Sequence, residues 1–157
     1  MAMGTEVRQG GLEDAGTAAR LLHDFNEEFG EPTPGIEALR GRVVRLLGEG
    51  SGAVLLLVGG GPDGIALVRF RGGLWSEGPE TYLQELYVVP ARRGNGLGRA
   101  LLEATIALAR EAGSSGVELN TGETDAAARS LYESAGFTNR EGSPDGPSML
   151  FYELEFE

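Results

Sequence analysis

From Pro90 to Leu102 the chain reads Pro-Ala-Arg-Arg-Gly-Asn-Gly-Leu-Gly-Arg-Ala-Leu-Leu, and this stretch constrains the fold more than any other. It follows a strand-like apolar run at 81–89 and opens an apolar-periodic helix at about 98–112. Gly94, Gly96 and Gly98 alternate just before and at the helix start. Backbone N–H groups in the first turn of a helix have no partner within it. With the helix dipole they attract anions. Glycine lets that backbone approach a phosphate with no Cβ in the way. The stretch therefore reads as a pyrophosphate cradle, with a tight structural turn of similar composition as the alternative.

The rest of the sequence bounds what such a cradle can serve. A chain of 157 residues is expected to form one domain over 1–157. It has no cysteine, which excludes disulfides, thiolate metal sites and a cysteine nucleophile. The single histidine, His23, reads as a surface or packing residue, so no metal is expected. There is no basic-then-apolar leader. The longest apolar run, Ala53-Val-Leu-Leu-Leu-Val58, is far below the roughly 18 residues a membrane helix needs. These features predict a soluble, cytoplasmic protein with no membrane partner. A net charge of −11 disfavours nucleic acid, whose binding relies on Lys and Arg at phosphates. It permits attraction of cationic substrates such as amines, and it also serves solubility.

Periodicity sets the order of elements. Val7-Arg-Gln predicts an edge strand. Leu12, Ala15, Ala18, Ala19, Leu22, Phe25 and Phe29 recur at helical spacing, and Gly30-Glu-Pro-Thr-Pro-Gly35 breaks the run. Ile36, Leu39, Val43, Leu46 and Leu47 predict a second helix. Strands at 53–58 and 65–71 flank the turn Gly59-Gly-Gly-Pro-Asp-Gly64 as a hairpin. After the 81–89 strand, the cradle and the third helix come a strand at 117–120 and a helix at 126–134. Asp125 caps that helix and Gly136 stops it. Strands at 137–140 and 148–156 close the chain. The pattern predicts one layer of mixed sheet with helices packed on it.

Two blocks then acquire meaning together. Arg93-Gly-Asn-Gly96-Leu-Gly98 follows an apolar strand, and about 30 residues on stands Asp125-Ala-Ala-Ala128-Arg-Ser-Leu-Tyr132, then Gly136-Phe137. This pair resembles the GNAT superfamily of acyl-CoA-dependent N-acyltransferases. That family is marked by Arg/Gln-x-x-Gly-x-Gly/Ala, then Asn-x-x-Ala-x-x-x-Tyr and Gly-Phe. The resemblance covers at least 81–140, and the upstream helix pair and hairpin follow the family's order. It implies an α+β domain with a central mixed, mostly antiparallel sheet flanked by about four helices. It also implies that the backbone of Arg93, Gly94, Asn95, Gly96, Leu97, Gly98 and Arg99 holds the pyrophosphate of acetyl-CoA. The strand edge at Leu86, Tyr87 and Val88 would pair with the pantetheine and hold the acetyl carbonyl, and Tyr132 would stand near the sulfur as general acid. Asp125 replaces the usual asparagine. It still caps a helix but brings a negative charge toward an anionic cofactor. Homodimers are common in the family, so a homodimer is a further expectation.

The chemistry of transfer asks for a base. An alkylamine with pKa near 10 is about one part in a thousand neutral at pH 7, a deficit of about 4 kcal/mol. A carboxylate can take that proton directly or through water. Glu85 precedes the cofactor strand segment and shares a strand face with Tyr87 by alternation, so it is the candidate base. A departing thiolate has a pKa near 8.5, and a tyrosine near 10 can donate to it. With no cysteine to carry an acyl group, direct attack in a ternary complex is expected. Phe25, Phe29, Trp75, Asn120 and Tyr152 are candidates for the acceptor pocket.

Two rival readings stand beside this one. Gly96-Leu-Gly98 could begin a dinucleotide fingerprint, with Glu118 near the ribose position. However, Leu101 replaces the third glycine, and the motif comes late in the chain. The other rival is a CoA-binding sensor or scaffold that keeps the cradle and lacks the transfer chemistry. The reading favoured by the residues is N-acetyl transfer to a primary amine, small and cationic, with a small molecule or a peptide as acceptor.

Overall fold

The computed structural model describes residues 4–48 and 50–157. The chain divides into two compact units, Met1–Leu119 and Asn120–Glu157. The first holds a five-stranded sheet in sequential order: β1 (Val7–Gln9), β2 (Ala53–Val58), β3 (Gly64–Arg71), β4 (Glu80–Val88) and β5 (Val117–Glu118). Neighbours are antiparallel except β4 and β5, which are parallel. The mixed, mostly antiparallel sheet expected from the sequence is therefore present, with four helices: α1 (Ala15–Glu28), α2 (Ile36–Leu47), α3 (Leu97–Glu111) and α4 (Ala126–Ser134).

Register explains which side chains go where. Paired residues on antiparallel strands project to the same face. Leu57, Ile65 and Tyr87 align across β2, β3 and β4. With Leu55 they form a core with Ala15, Ala18 and Leu21 of α1 and Val43 of α2. Leu56, Ala66 and Val68 point to the opposite face, which α3 covers with Leu97, Leu101, Leu102, Thr105 and Ala109. Gly64 lets α3 come close. A Cβ there would lie 2.8 Å from Val58 Cγ1 and 3.2 Å from Leu101 Cδ1.

The entrance to α1 is an electrostatic clasp. A 3-10 turn at Leu12–Asp14 leads into the helix. The Asp14 carboxylate accepts the Gly11 N–H at 2.9 Å and both terminal nitrogens of Arg8 at 3.0 and 2.9 Å. The clasp ties the end of β1 to the start of α1. The Arg8 guanidinium, then the Gly11 N–H, hold the Asp14 carboxyl at about 2.

The second unit carries α4. Asp125 caps it, its Oδ1 accepting the Ala128 N–H at 3.1 Å. Gly136, at φ +98°, lets the chain leave the helix, and the Phe137 N–H returns to the Tyr132 carbonyl at 3.0 Å. Here the expectation of two closing strands fails. Residues 137–140 and 148–156 meet in one isolated bridge, Arg140 with Ser148. The Met149 N–H adds a bond to the Asn139 carbonyl at 2.7 Å. Alternating apolar residues from Leu150 to Phe156 stay exposed, because a strand needs a ladder partner and none pairs with them among the described residues. β5 is likewise shorter than the four residues expected.

Asp14→Asn is expected to lower stability at pH 7 by roughly 1–2 kcal/mol, discounted because Arg8 is exposed. A depressed carboxyl stabilises the fold above its unfolded pKa, and that contribution fades as pH falls from about 4 through about 2. Thermal melts of both proteins across that range check this. The gap between them should close in acid.

Candidate active site

The site grows from the two edges of β4. One edge pairs with β3 along its length. The other pairs with β5 only at Thr81 and Tyr82. The Val89 N–H bonds to the Asp63 carbonyl at 2.9 Å, toward β3. Alternation therefore turns the backbone groups of Val88 and Leu86 toward the other edge. There the Val88 carbonyl accepts Arg93 Nε at 3.0 Å. Among the described residues no strand pairs with that edge beyond Tyr82.

The cradle sits at the end of this open edge. After a 3-10 turn at Pro90–Arg92, Gly94 and Gly96 take φ of +79° and +83°, a left-handed conformation that side chains rarely adopt. Gly96 is the N-cap of α3, and the first helical bond runs from Ala100 N–H to Gly96 O at 3.0 Å. The N–H groups of Leu97, Gly98 and Arg99 therefore lie in the turn that lacks helical acceptors. No acidic residue stands in that turn. A Cβ at Gly94 or Gly96 would meet nothing within 4 Å, so open space lies against both glycines. These features fit an anionic group. Asn95 braces the loop instead of pointing at a ligand, its amide nitrogen lying 3.1 and 3.2 Å from the Arg92 and Arg93 carbonyls. Arg92 reaches Asp63 at 3.3 Å.

Aromatic residues gather beside the end of β4. Phe25 stacks on Tyr87 with ring centroids 4.9 Å apart, and Phe29 meets Phe25 edge-on at 5.4 Å. Phe29 remains 53% exposed. Thus the predicted residues Phe25, Phe29, Leu86, Tyr87, Val88 and the glycine loop lie in one region of the first unit. Trp75 lies elsewhere. It is 94% exposed and borders an open cavity of about 310 Å³ with Glu80, Thr81, Val117 and Glu118, at the opposite end of β4. The nine residues of β4 place that end about 26 Å from the end that meets the glycine loop. His23 is taken up by Thr33 Oγ1 at 2.9 Å. Tyr132, Asp125, Asn120 and Tyr152 belong to the second unit.

The titrating groups differ in environment. Burial pushes the Glu85 carboxyl above its ordinary value. Glu85 pairs with Leu67 and shares the α1 face with Tyr87, as alternation predicts. A β-bulge precedes it: Val68 pairs with Leu83, leaving Gln84 as the extra residue. Burial, then the Asp125 charge, pushes the Tyr132 phenol to about 12. Glu28 was not among the predicted residues. It accepts Arg93 NH1 and NH2 at 2.7 and 2.8 Å and the Tyr87 hydroxyl at 3.2 Å. Its position one helical turn after Phe25 is the signal that could have found it. No cluster of three or more metal-ligating side chains occurs among the described residues, and no described helix is long and apolar enough to cross a membrane.

Residues 18–137 match the model of the acetyltransferase (GNAT) family. The chain belongs to that family. A protein from Arthrobacter sp. FB24, described as an acetyltransferase, shares 46% identity and superimposes with a TM-score of 0.86 over 96% of each chain. A mycothiol acetyltransferase from Beutenbergia cavernae is 37% identical over 89 residues, 55% of this chain and 29% of that protein. Another from Thermobispora bispora is 47% identical over 66 residues, 40% of this chain and 22% of that protein. The chain thus covers less than a third of the curated relatives it matches.

Glu85→Gln tests the half-buried carboxylate without reference to turnover. A carboxyl raised by burial favours the protonated native state, so the ionised form costs stability above its folded pKa. The glutamine variant is expected to melt higher than wild type at pH 7 to 8. The gain should shrink as pH falls and vanish below the ordinary carboxylate range. An equal difference at every pH would mean that the carboxylate is solvated.

Proposed function

We propose that the chain, over 1–157, acts as one N-acetyltransferase domain that moves an acetyl group from acetyl-CoA to a small cationic primary amine by direct attack in a ternary complex. One observation carries this reading: the edge of β4 at Leu86 and Val88, which no strand pairs among the described residues, runs straight into the first turn of α3, whose N–H groups have no acceptor within the helix. An extended amide chain ending in a pyrophosphate needs those two features, in that order. When bound, acetyl-CoA supplies the acetyl thioester. The backbone from Gly94 to Arg99 holds its phosphates and the Leu86–Val88 edge orients the rest.

Glu85 is the proposed base. Its raised pKa makes it a better proton acceptor than an ordinary carboxylate. Tyr132 is the proposed donor to the departing sulfur, supported by its place in the second motif block. A phenol at about 12 keeps its proton through the physiological range. Complete transfer to a thiolate near 8.5 would be uphill by about 5 kcal/mol, so Tyr132 shares its proton in a hydrogen bond and the thiol gains its own proton from solvent. Asp125 stands nearby in sequence as the helix cap and leaves the phosphates to the backbone donors.

The acceptor reading rests on this chain's own residues. Phe25 stands on the last turns of α1 with Asp24 and Glu27, and Phe29 caps that helix. Aromatic faces amid carboxylates attract an ammonium group. The absence of cysteine supports one-step attack.

Calorimetry with acetyl-CoA, with NAD as control, is the first test. Micromolar binding of acetyl-CoA alone is expected. Gly96→Val should weaken it at least about tenfold, since a branched residue at φ +83° forces the N-cap out of its conformation. In an amine screen read by thiol release, Glu85→Gln and Tyr132→Phe should each lower turnover by about 10²-fold or more. Undiminished affinity in Gly96→Val would sink the cradle. A screen in which only neutral or anionic acceptors react would sink the cationic acceptor.

A further inference from the structure

The arginine that opens the glycine motif does not face the cradle. Arg93 spends its Nε on the Val88 carbonyl at 3.0 Å. Its two terminal nitrogens grip both oxygens of Glu28 at 2.7 and 2.8 Å. Its guanidinium carbon lies 5.7 Å from the centroid of the Tyr87 ring. Tyr87 in turn donates its hydroxyl to Glu28 at 3.2 Å and stacks against Phe25. Three segments thus meet on one carboxylate: the last turn of α1, the end of β4 and the first residue of the glycine loop. A fork of this kind fixes direction as well as distance, because a planar guanidinium on a carboxylate makes two parallel bonds.

We propose that Glu28 is a positioning residue for acetyl transfer, and that Arg93 is a strut and not a phosphate ligand. Glu28 holds the guanidinium in one orientation. That orientation sets the Val88 carbonyl, and hence the open strand edge, relative to Gly94 and Gly96. The same carboxylate fixes the end of α1, where Phe25 and Phe29 sit. The cofactor side and the acceptor side are therefore aligned through one ion pair. This inference rests on the acetyl-CoA cradle proposed above.

The two roles for Arg93 predict opposite signs. If Arg93 were a phosphate ligand held back by Glu28, Glu28→Gln would release it, and acetyl-CoA would bind more tightly. If Arg93 is a strut, Glu28→Gln loosens the loop, and acetyl-CoA binds more weakly. The expected result is a threefold to tenfold rise in both Kd and KM for acetyl-CoA, larger than any fall in kcat. Arg93→Lys is the second variant. It keeps the charge and loses the fork, so it should weaken binding as much as Glu28→Gln does, and the double variant should be no worse than either single one. Tighter or unchanged binding in Glu28→Gln, a fall in Tm with Kd unmoved, or full affinity in Arg93→Lys would each overturn the proposal. Wild-type protein that fails to bind acetyl-CoA would instead overturn the cradle itself, and that outcome is read before any variant is made.

Discussion

Backbone groups in a sheet demand partners, and among the described residues β4 finds strand partners along most of its length on one side only. β5 pairs with it for two residues, Thr81 and Tyr82. An unpaired strand edge invites another extended chain. The parallel pairing adds a second consequence. Parallel neighbours need a crossover, and α3 is that crossover. Because α3 must begin where β4 ends, its first-turn N–H groups, which lack acceptors within the helix, arise beside that edge by topology alone. Ligands in sheets with parallel strands gather at the carboxyl ends of those strands for the same reason. Gly94 and Gly96 are then the residues that let the chain turn from strand into helix without filling the space between them.

Two carboxylates near the end of β4 are pushed in opposite directions. The Arg93 guanidinium holds Glu28 below its usual range, with the Tyr87 hydroxyl adding to it. Burial holds Glu85 above its usual range, and no hydrogen-bond partner contributes to that shift. Environments that drive like groups apart separate their roles. Glu28 is a permanent anion that can anchor a cation and is a poor base. Glu85 pays a desolvation penalty that makes proton uptake favourable. Such a penalty works against stability, which the Glu85→Gln melts read directly.

The sheet, the helix pair, the hairpin and the glycine loop before α3 were legible because each has a local signal. Helical spacing marks α1 and α2, a glycine turn marks the β2–β3 hairpin, and alternate glycines mark the start of α3. What escaped depends on contacts distant in sequence. The bulge at Gln84 changes which residues share a face. Alternation read through it would put Leu83 beside Glu85, whereas register puts Leu83 with Val68 and Glu85 with Leu67. Glu28 and Arg93 lie 65 residues apart, and nothing local links them. Trp75, an acceptor-pocket candidate from the sequence, lies in the loop that joins the opposite end of β4. The closing strands failed for a related reason: alternation records which side of a residue is apolar, but a strand exists only where another strand accepts its hydrogen bonds.

The same contacts decide how an anion is recognised here. Arg92 and Arg93 look, in sequence, like the positive charge of a phosphate site. In the fold Arg92 is paired with Asp63 and Arg93 with Glu28. Each of these charges is largely cancelled by its partner at short range. Recognition then falls to the N–H groups of the α3 first turn and to the helix dipole, which are fixed in direction and cannot be traded for side-chain charge. In a chain of net charge −11 this is an economical arrangement. Donors fixed in direction can act locally against an acidic surface, and the surplus of carboxylates leaves the net field favourable to cations.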